Sequence, residues 1–281
     1  PSPVVLPGAG ALAALARRRA ERLRHGRRTA SAEGAPIGMT EADRVVRLSD
    51  AVRSQGLYVT GATGTGKTTL LANLVRRDLR EGRGVCVVDP HGDLFAELLD
   101  GLDARTRRRA MVADLADEAG GFSLNLLEPE GRAPARHRNF VCNQLIGAFG
   151  RIYRGCPESM GPMFEAYFRN AVLLLMEAEG ESATLLDLDR VFVDAKWRRE
   201  ALERCEDESV ARFWRAIALK AGGEASLENI APYIVSKLTQ FTGNPALRPV
   251  LCRPRSTLDF GRAMAEGRPC LVNLAKGAVG E

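Results

Sequence analysis

The chain has 281 residues, 45% hydrophobic and 27% charged, with a formal net charge of +5. That is globular composition, with enough apolar residues for a large core and two structural units. Six cysteines (Cys86, Cys142, Cys156, Cys205, Cys252 and Cys270) are scattered without a CxxC pair; this argues against a metal site or disulfide framework and for reduced thiols in a cytosolic compartment. No run of about 18 apolar residues is present to cross a bilayer.

The charge is unevenly placed. Residues 17–28, RRRAERLRHGRR, carry seven arginines and one glutamate, so this run holds +6 and the rest of the chain −1. The near-neutral body gives no charge signal for nucleic-acid binding. The chain begins at Pro1 rather than Met and stops at Glu281, just after a strand-like run, and reads as a piece of a longer protein. Residues 1–40 are expected to form a basic N-terminal helix and linker. The apolar stretch 4–16, followed at once by arginines, fits a helix with a solvated linker; it also fits a tether whose membrane anchor lies upstream of residue 1. Residues 29–38, TASAEGAPIG, read as linker.

An α/β core is expected to begin at about residue 41 and to run to 134. Leu57–Thr60 reads as a strand. A helix is expected from about Gly66 to Arg80, with Leu70, Leu71, Leu74, Val75 and Leu79 on one face and Gly82 and Gly84 ending it. Val85–Val88 is a short apolar run suited to a strand buried on both faces. DPHGDLFAELL makes a turn and opens another helix, and Ala110–Val112 is a further strand candidate. The alternation of strand and helix predicts a parallel sheet. From 135 to 245 helical spacing dominates: Phe164, Tyr167, Phe168, Ala171, Val172 and Leu175 recur at three and four. So do Val210, Phe213, Trp214 and Ile217, and then Ile230, Ile234, Leu238 and Phe241. Trp197 and Trp214 are expected in the core. Residues 246–281 return to the α/β core, with Cys270–Leu274 as a buried strand.

The chemistry concentrates in LYVTGATGTGKTTLL, residues 57–71. Gly61, Gly66, Lys67 and Thr68 satisfy G-x-x-x-x-G-K-[ST] without a mismatch, between a strand-like run and an amphipathic helix. Glycines let the backbone turn its N–H groups onto phosphate oxygens, and the helix N-terminus adds its dipole. The loop therefore predicts ATP binding by Gly61, Ala62, Thr63, Gly64, Thr65, Gly66, Lys67, Thr68 and Thr69. Lys67 would neutralise the β- and γ-phosphates as the catalytic cation, and the Thr68 hydroxyl would ligate Mg²⁺.

Phosphoryl transfer also needs an acid at a strand end to hold Mg²⁺ and a group that orients water. Asp89 ends the apolar run VCVVD and is the candidate metal ligand, although Pro90 rather than a second acid follows it. Asp114 is a weaker candidate, and CLVNLA carries Asn273 where an acid would be wanted. His91 is a candidate γ-phosphate sensor, with a capping or packing role in the turn as the alternative. Arg248, Arg253 and Arg255 are candidates for an arginine acting on a neighbouring subunit, with surface charge as the default. The run from Arg105 to Ala110 reads as a solvated helix face.

These residues resemble a known family. LYVTGATGTGKTTLL, GVCVVDPHGDL, FSLNLLEP, GPMFEAYFRNAVLLLMEAEG, ATLLDLDRVFVD, VARFWR, IAPYIVSKLTQF, STLDF and GRPCLVNLAKGAVGE stand in the order seen in conjugative-transfer ATPases. These are the type IV secretion coupling-protein-like members of the HerA–FtsK superfamily of P-loop ATPases. The resemblance covers about residues 40–281, with DPHGDL and LVNLAKG its more specific segments. It implies a RecA-like core interrupted by helical elements. It further implies rings, often hexamers, at the cytoplasmic face of the bacterial inner membrane, which use ATP to move DNA alongside secretion-system or relaxosome proteins. In related motors an Asp-Glu strand end follows the segment matching LVNLAKG, which places the missing carboxylate after residue 281 and puts Asp89 in doubt as the Mg²⁺ acid. Thr68 stands where serine is common, and Met163 where a basic residue is expected. Two other readings stay open: a secretion or pilus-assembly ATPase acting on protein, and a nucleotide-binding scaffold without catalysis.

Overall fold

The computed structural model describes residues 34–117, 121–129, 135–155, 160–218 and 224–279. The expected helix at 4–16, the arginine run at 17–28 and Cys156 lie outside the described residues. Among those described, no helix is long and apolar enough to cross a membrane. The chain divides into two compact units, residues 1–77 and 78–281.

The first unit opens with a hairpin. β1 (Ala35–Met39) pairs antiparallel with β2 (Val45–Leu48). This corrects the linker expected over 29–38, at least for its described part. Sequence pattern hides the hairpin because its faces do not alternate: nearly all its side chains are solvent-accessible, so backbone pairing rather than apolar burial defines it. The register slips between Pro36 and Gly38, where proline has no N–H to give the ladder. Thr40 and Arg44 close the turn, with the Thr40 amide donating to the Arg44 carbonyl at 2.9 Å. A short helix, α1 (Asp50–Arg53), follows, and then the glycine loop and α2 (Lys67–Arg80), which passes into the second unit at Asp78. In α2 the expected apolar face is slightly rotated. Leu74 is buried, but Leu71 is exposed, and Ala72 and Asp78 are buried in its place.

The second unit is α/β. β3 (Cys86–Asp89), β4 (Met111–Asp114) and β5 (Cys270–Asn273) form a parallel sheet in the order β3-β5-β4. Between β3 and β4 lie α3 (Asp93–Asp100) and α4 (Ala104–Arg109). Asp103 caps α4 through the amides of Arg105 and Thr106, and the arginines of α4 are exposed as expected. β5 comes last in sequence yet takes the centre, so both of its edges are paired. Leu271 is fully buried there, as a central strand covered on both faces requires.

The long connection from β4 to β5 is helical. It contains α5 (Ala135–Ile152), α6 (Pro162–Glu179), α7 (Arg190–Val193), α8 (Ala195–Arg204), α9 (Glu208–Arg212), α10 (Glu224–Thr242), α11 (Arg248–Leu251) and α12 (Phe260–Ala265). A last short helix, α13 (Lys276–Val279), follows β5. Pro162 at the first turn of α6 suits a position whose N–H has no partner in the helix. Helix α6 is the spine of the block, burying Phe164, Phe168, Leu174 and Leu175 almost completely. Phe168 meets Phe149 edge-on at 5.2 Å between ring centres. Full burial of each such side chain contributes about 1.5–3 kcal/mol.

Trp197 and Trp214 are buried, and each indole N–H finds an acceptor: Glu179 Oε1 at 2.8 Å and the Asn170 carbonyl at 3.2 Å. The periodicity fails at one point. Ile217, expected on the buried face with Trp214, is 53% exposed, while Ala218 is fully buried. Residues Phe213–Ala218 form a π-helical turn, whose i→i+5 spacing puts Ala218, not Ile217, beneath Phe213.

A smaller core under the sheet joins Met111, Phe122, Val250, Leu258, Ala263 and Cys270. The segment FSLNLL ties the two cores together. The Asn125 side-chain amide donates to the carbonyls of Ala183 (2.8 Å) and Pro254 (2.9 Å), and the Ser123 hydroxyl to that of Arg255 (2.7 Å).

Candidate functional site

In the first unit the loop Gly61–Thr69 is built by its own backbone. Gly64 and Gly66 have φ of 81° and 85°, the left-handed region that side-chain-bearing residues rarely enter. A Cβ on Gly61 would come within 2.6 Å of the Thr65 hydroxyl oxygen, so any larger residue there must displace the hydroxyl that holds the bend. The Thr65 hydroxyl donates to the Ala62 carbonyl at 2.8 Å and holds the bend. Lys67 is half-buried, and its ammonium donates to the carbonyls of Gly61 (2.9 Å) and Ala62 (2.7 Å).

Helix α2 starts at Lys67, and its first backbone bond runs from the Leu70 amide to the Gly66 carbonyl at 2.9 Å. The N–H groups of Lys67, Thr68 and Thr69 therefore have no acceptor within the helix. Thr68 and Thr69 are exposed, and neither hydroxyl bonds another described residue. One short segment thus offers free N–H donors at a helix N-terminus, a lysine ammonium folded over the loop and two free hydroxyls. That donor set suits an anion with several oxygens. The residues present fit a polyanion such as a nucleotide's phosphate chain; Lys67 would be its counter-cation, and the Thr68 hydroxyl would offer an oxygen to Mg²⁺.

One expectation about this region fails. Leu57–Thr60 is not a strand: it pairs with no described residue, and Leu57 and Tyr58 are 48% and 91% exposed. An apolar run of four residues states a preference for burial but names no partner strand, and a ladder needs one.

In the second unit the three strands end level. Asp89, Asn273 and Asp114 are register partners across β3, β5 and β4, at the carboxyl edge where parallel sheets commonly hold ligands. Here the polar groups satisfy one another. Asp89 is buried, and its two oxygens accept from the amides of His91 and Phe95, each at 3.0 Å. Burial pushes its pKa up, but the N–H groups of Phe95, His91, Gly92 and Leu94 outweigh that and hold it below its ordinary value. Asp89 thus acts as the anionic cap of α3.

Asn273 locks the neighbouring strand ends. Its amide donates to Asp114 Oδ1 at 2.7 Å, while its own carbonyl oxygen accepts from the Ala275 amide at 2.9 Å. Sequence reasoning regarded Asn273 only as a missing acid; the signal for its bridging role is the parallel register, which the sequence does not state. Gly92, at φ 94°, sits against it, and a Cβ there would lie 3.0 Å from Asn273 Oδ1. No cluster of three or more metal-binding side chains occurs among the described residues.

The other candidates add no side-chain hydrogen bond to this row. His91 is exposed and contributes its backbone amide. Arg248, Arg253 and Arg255 are exposed, and Arg255 pairs with Glu181 at 2.5 Å, a surface pair of small energetic weight. Met163 is 60% exposed at the start of α6.

The chain matches no family model, no curated protein and no solved structure.

Proposed function

We propose that the chain is the nucleotide-binding part of an ATP-driven motor that translocates or transfers DNA, as in conjugation and type IV secretion. The observation that carries this is the Gly61–Thr69 loop, in which free amides at the head of α2 and the Lys67 ammonium converge on one bend. In this reading Gly61–Thr69 hold ATP, Lys67 offsets phosphate charge, and Thr68 ligates Mg²⁺. The bound Mg²⁺ would supply Lewis-acid neutralisation of charge between the phosphates. The sheet of β3, β5 and β4 belongs to a RecA-like core, and the helical connection between β4 and β5 is its insertion. Subunits assemble as a ring, hexameric by the resemblance, with DNA in its channel, at the cytoplasmic face of the bacterial inner membrane.

A second reading has its own support. Both Asp89 oxygens are engaged by backbone amides, which favours a chain that binds nucleotide without turning it over unless another acid joins the site. Measuring ATP turnover by the whole protein, with and without single- and double-stranded DNA, separates the readings. A motor shows turnover that rises with DNA and is lost in Lys67→Ala. Tight ATP binding with no turnover supports the scaffold. Turnover indifferent to both forms of DNA overturns the DNA motor and favours a protein substrate.

A further inference from the structure

Outside the sites described above, two cysteines share one position across neighbouring strands. Cys86 on β3 and Cys270 on β5 are direct register partners, so their side chains leave the same face of the sheet. Adjacent strands run roughly 4.8 Å apart, within the roughly 4.4–6.8 Å between Cα atoms that a disulfide spans. Both thiols line a cavity of about 210 Å³ walled by Phe260, Ala263 and Met264, with Arg268 contributing a cation. The two cysteines differ in access. Cys86 is exposed, whereas Cys270 is buried. Burial pushes the Cys270 thiol up to about 12, and the charge and hydrogen bonding of Cys86 add to this. Cys270 therefore keeps its proton, and Cys86 is the thiol that meets solvent.

We propose that Cys86 and Cys270 form an oxidisable dithiol whose substrate is hydrogen peroxide and whose product is a cross-strand disulfide. The Cys86 thiolate attacks one peroxide oxygen and the O–O bond breaks. The departing hydroxide takes up the proton released by Cys86 and leaves as water, and Cys86 becomes a sulfenic acid. The Cys270 sulfur then attacks the Cys86 sulfur; the S–S bond forms, the S–O bond breaks, and the hydroxide leaves as a second water with the Cys270 proton. Two thiols lose two electrons, and one peroxide becomes two waters. Among the described cysteines the pairing is specific to this end of the sheet, since Cys142, Cys205 and Cys252 lie in the helical connection. It does not depend on nucleotide binding.

The test is thiol mapping of the full chain treated with hydrogen peroxide, then alkylated, digested and weighed. The expected result is a peptide containing Cys86 joined to one containing Cys270, with alkylation of Cys86 falling about tenfold and returning on treatment with dithiothreitol. In Cys270→Ser, Cys86 should instead persist as a sulfenic acid that dimedone traps. The wild-type cross-link decides the matter even if that variant folds poorly. Oxidation of Cys86 to sulfonic acid while Cys270 stays alkylatable after unfolding would overturn the proposal, as would a link from Cys86 to any other cysteine.

Discussion

The glycine loop of the first unit and the strand-end row of the second are both dense in hydrogen-bonding groups, but they differ in how many are already engaged. In the loop, the amides of Lys67, Thr68 and Thr69 lack helical acceptors, and Lys67 rests on carbonyls it can exchange for a better partner. In the row, Asn273 bonds Asp114 on the neighbouring strand and the turn after its own, and Asp89 bonds the turn and helix that follow β3. An unengaged donor set is a place to bind something; an engaged one is a place that holds the fold. A carboxylate at the end of a parallel strand is thus no metal ligand by position alone.

Three substitutions break or sharpen this contrast. The largest effect is expected in the loop. Lys67→Ala should weaken nucleotide binding about a hundredfold, equivalent to about 2.7 kcal/mol, and shift folding stability by less than about 0.5 kcal/mol. Isothermal titration and thermal melts read the two quantities, and a stability loss without an affinity loss would reverse the assignment.

Asp89→Asn should do the opposite, lowering stability by about 2 kcal/mol because charge-assisted bonds to two amides become neutral ones. The pH dependence has a definite sign. The folded-state pKa of Asp89 lies below its ordinary 3.8, so its contribution is fully present above 3.8 and is lost as pH falls through the lower folded value. Denaturation of wild type and Asp89→Asn across that window should converge on acidification. Unchanged stability with weakened binding of Mg²⁺–nucleotide would make Asp89 a metal ligand after all.

The smallest effect is expected at Gly92→Ala, which forces a Cβ into a left-handed residue 3.0 Å from Asn273 Oδ1. A loss of about 1–2 kcal/mol is expected in chemical denaturation, with nucleotide affinity unchanged. A neutral result would mean that Asn273 moves aside freely and does not lock the strand ends.

What could be read ahead of the structure followed from local rules. The G-x-x-x-x-G-K-T spacing, the amphipathic repeat of α2 and α6 and the apolar run at β5 are consequences of neighbours a few residues apart; β3, expected to be buried on both faces, is instead an edge strand of the described sheet with Cys86 and Val88 exposed. The parallel sheet was legible from the alternation of strand and helix. Failures came where a partner distant in sequence decides the outcome. Leu57–Thr60 carries strand propensity without a strand beside it, and β1 and β2 pair through backbone groups that leave no apolar pattern. Ile217 turns outward because one π-helical turn resets the register.

By itself, then, the sequence determined the loop, since glycine stereochemistry and a lysine six residues on suffice to shape that bend. Tertiary structure alone decided that the last-made strand, β5, takes the centre of the sheet. That choice aligns Asn273 with Asp89 and Asp114, and Cys86 with Cys270. Strand order is set by the packing of segments up to about 180 residues apart, a distance over which local preference carries no information.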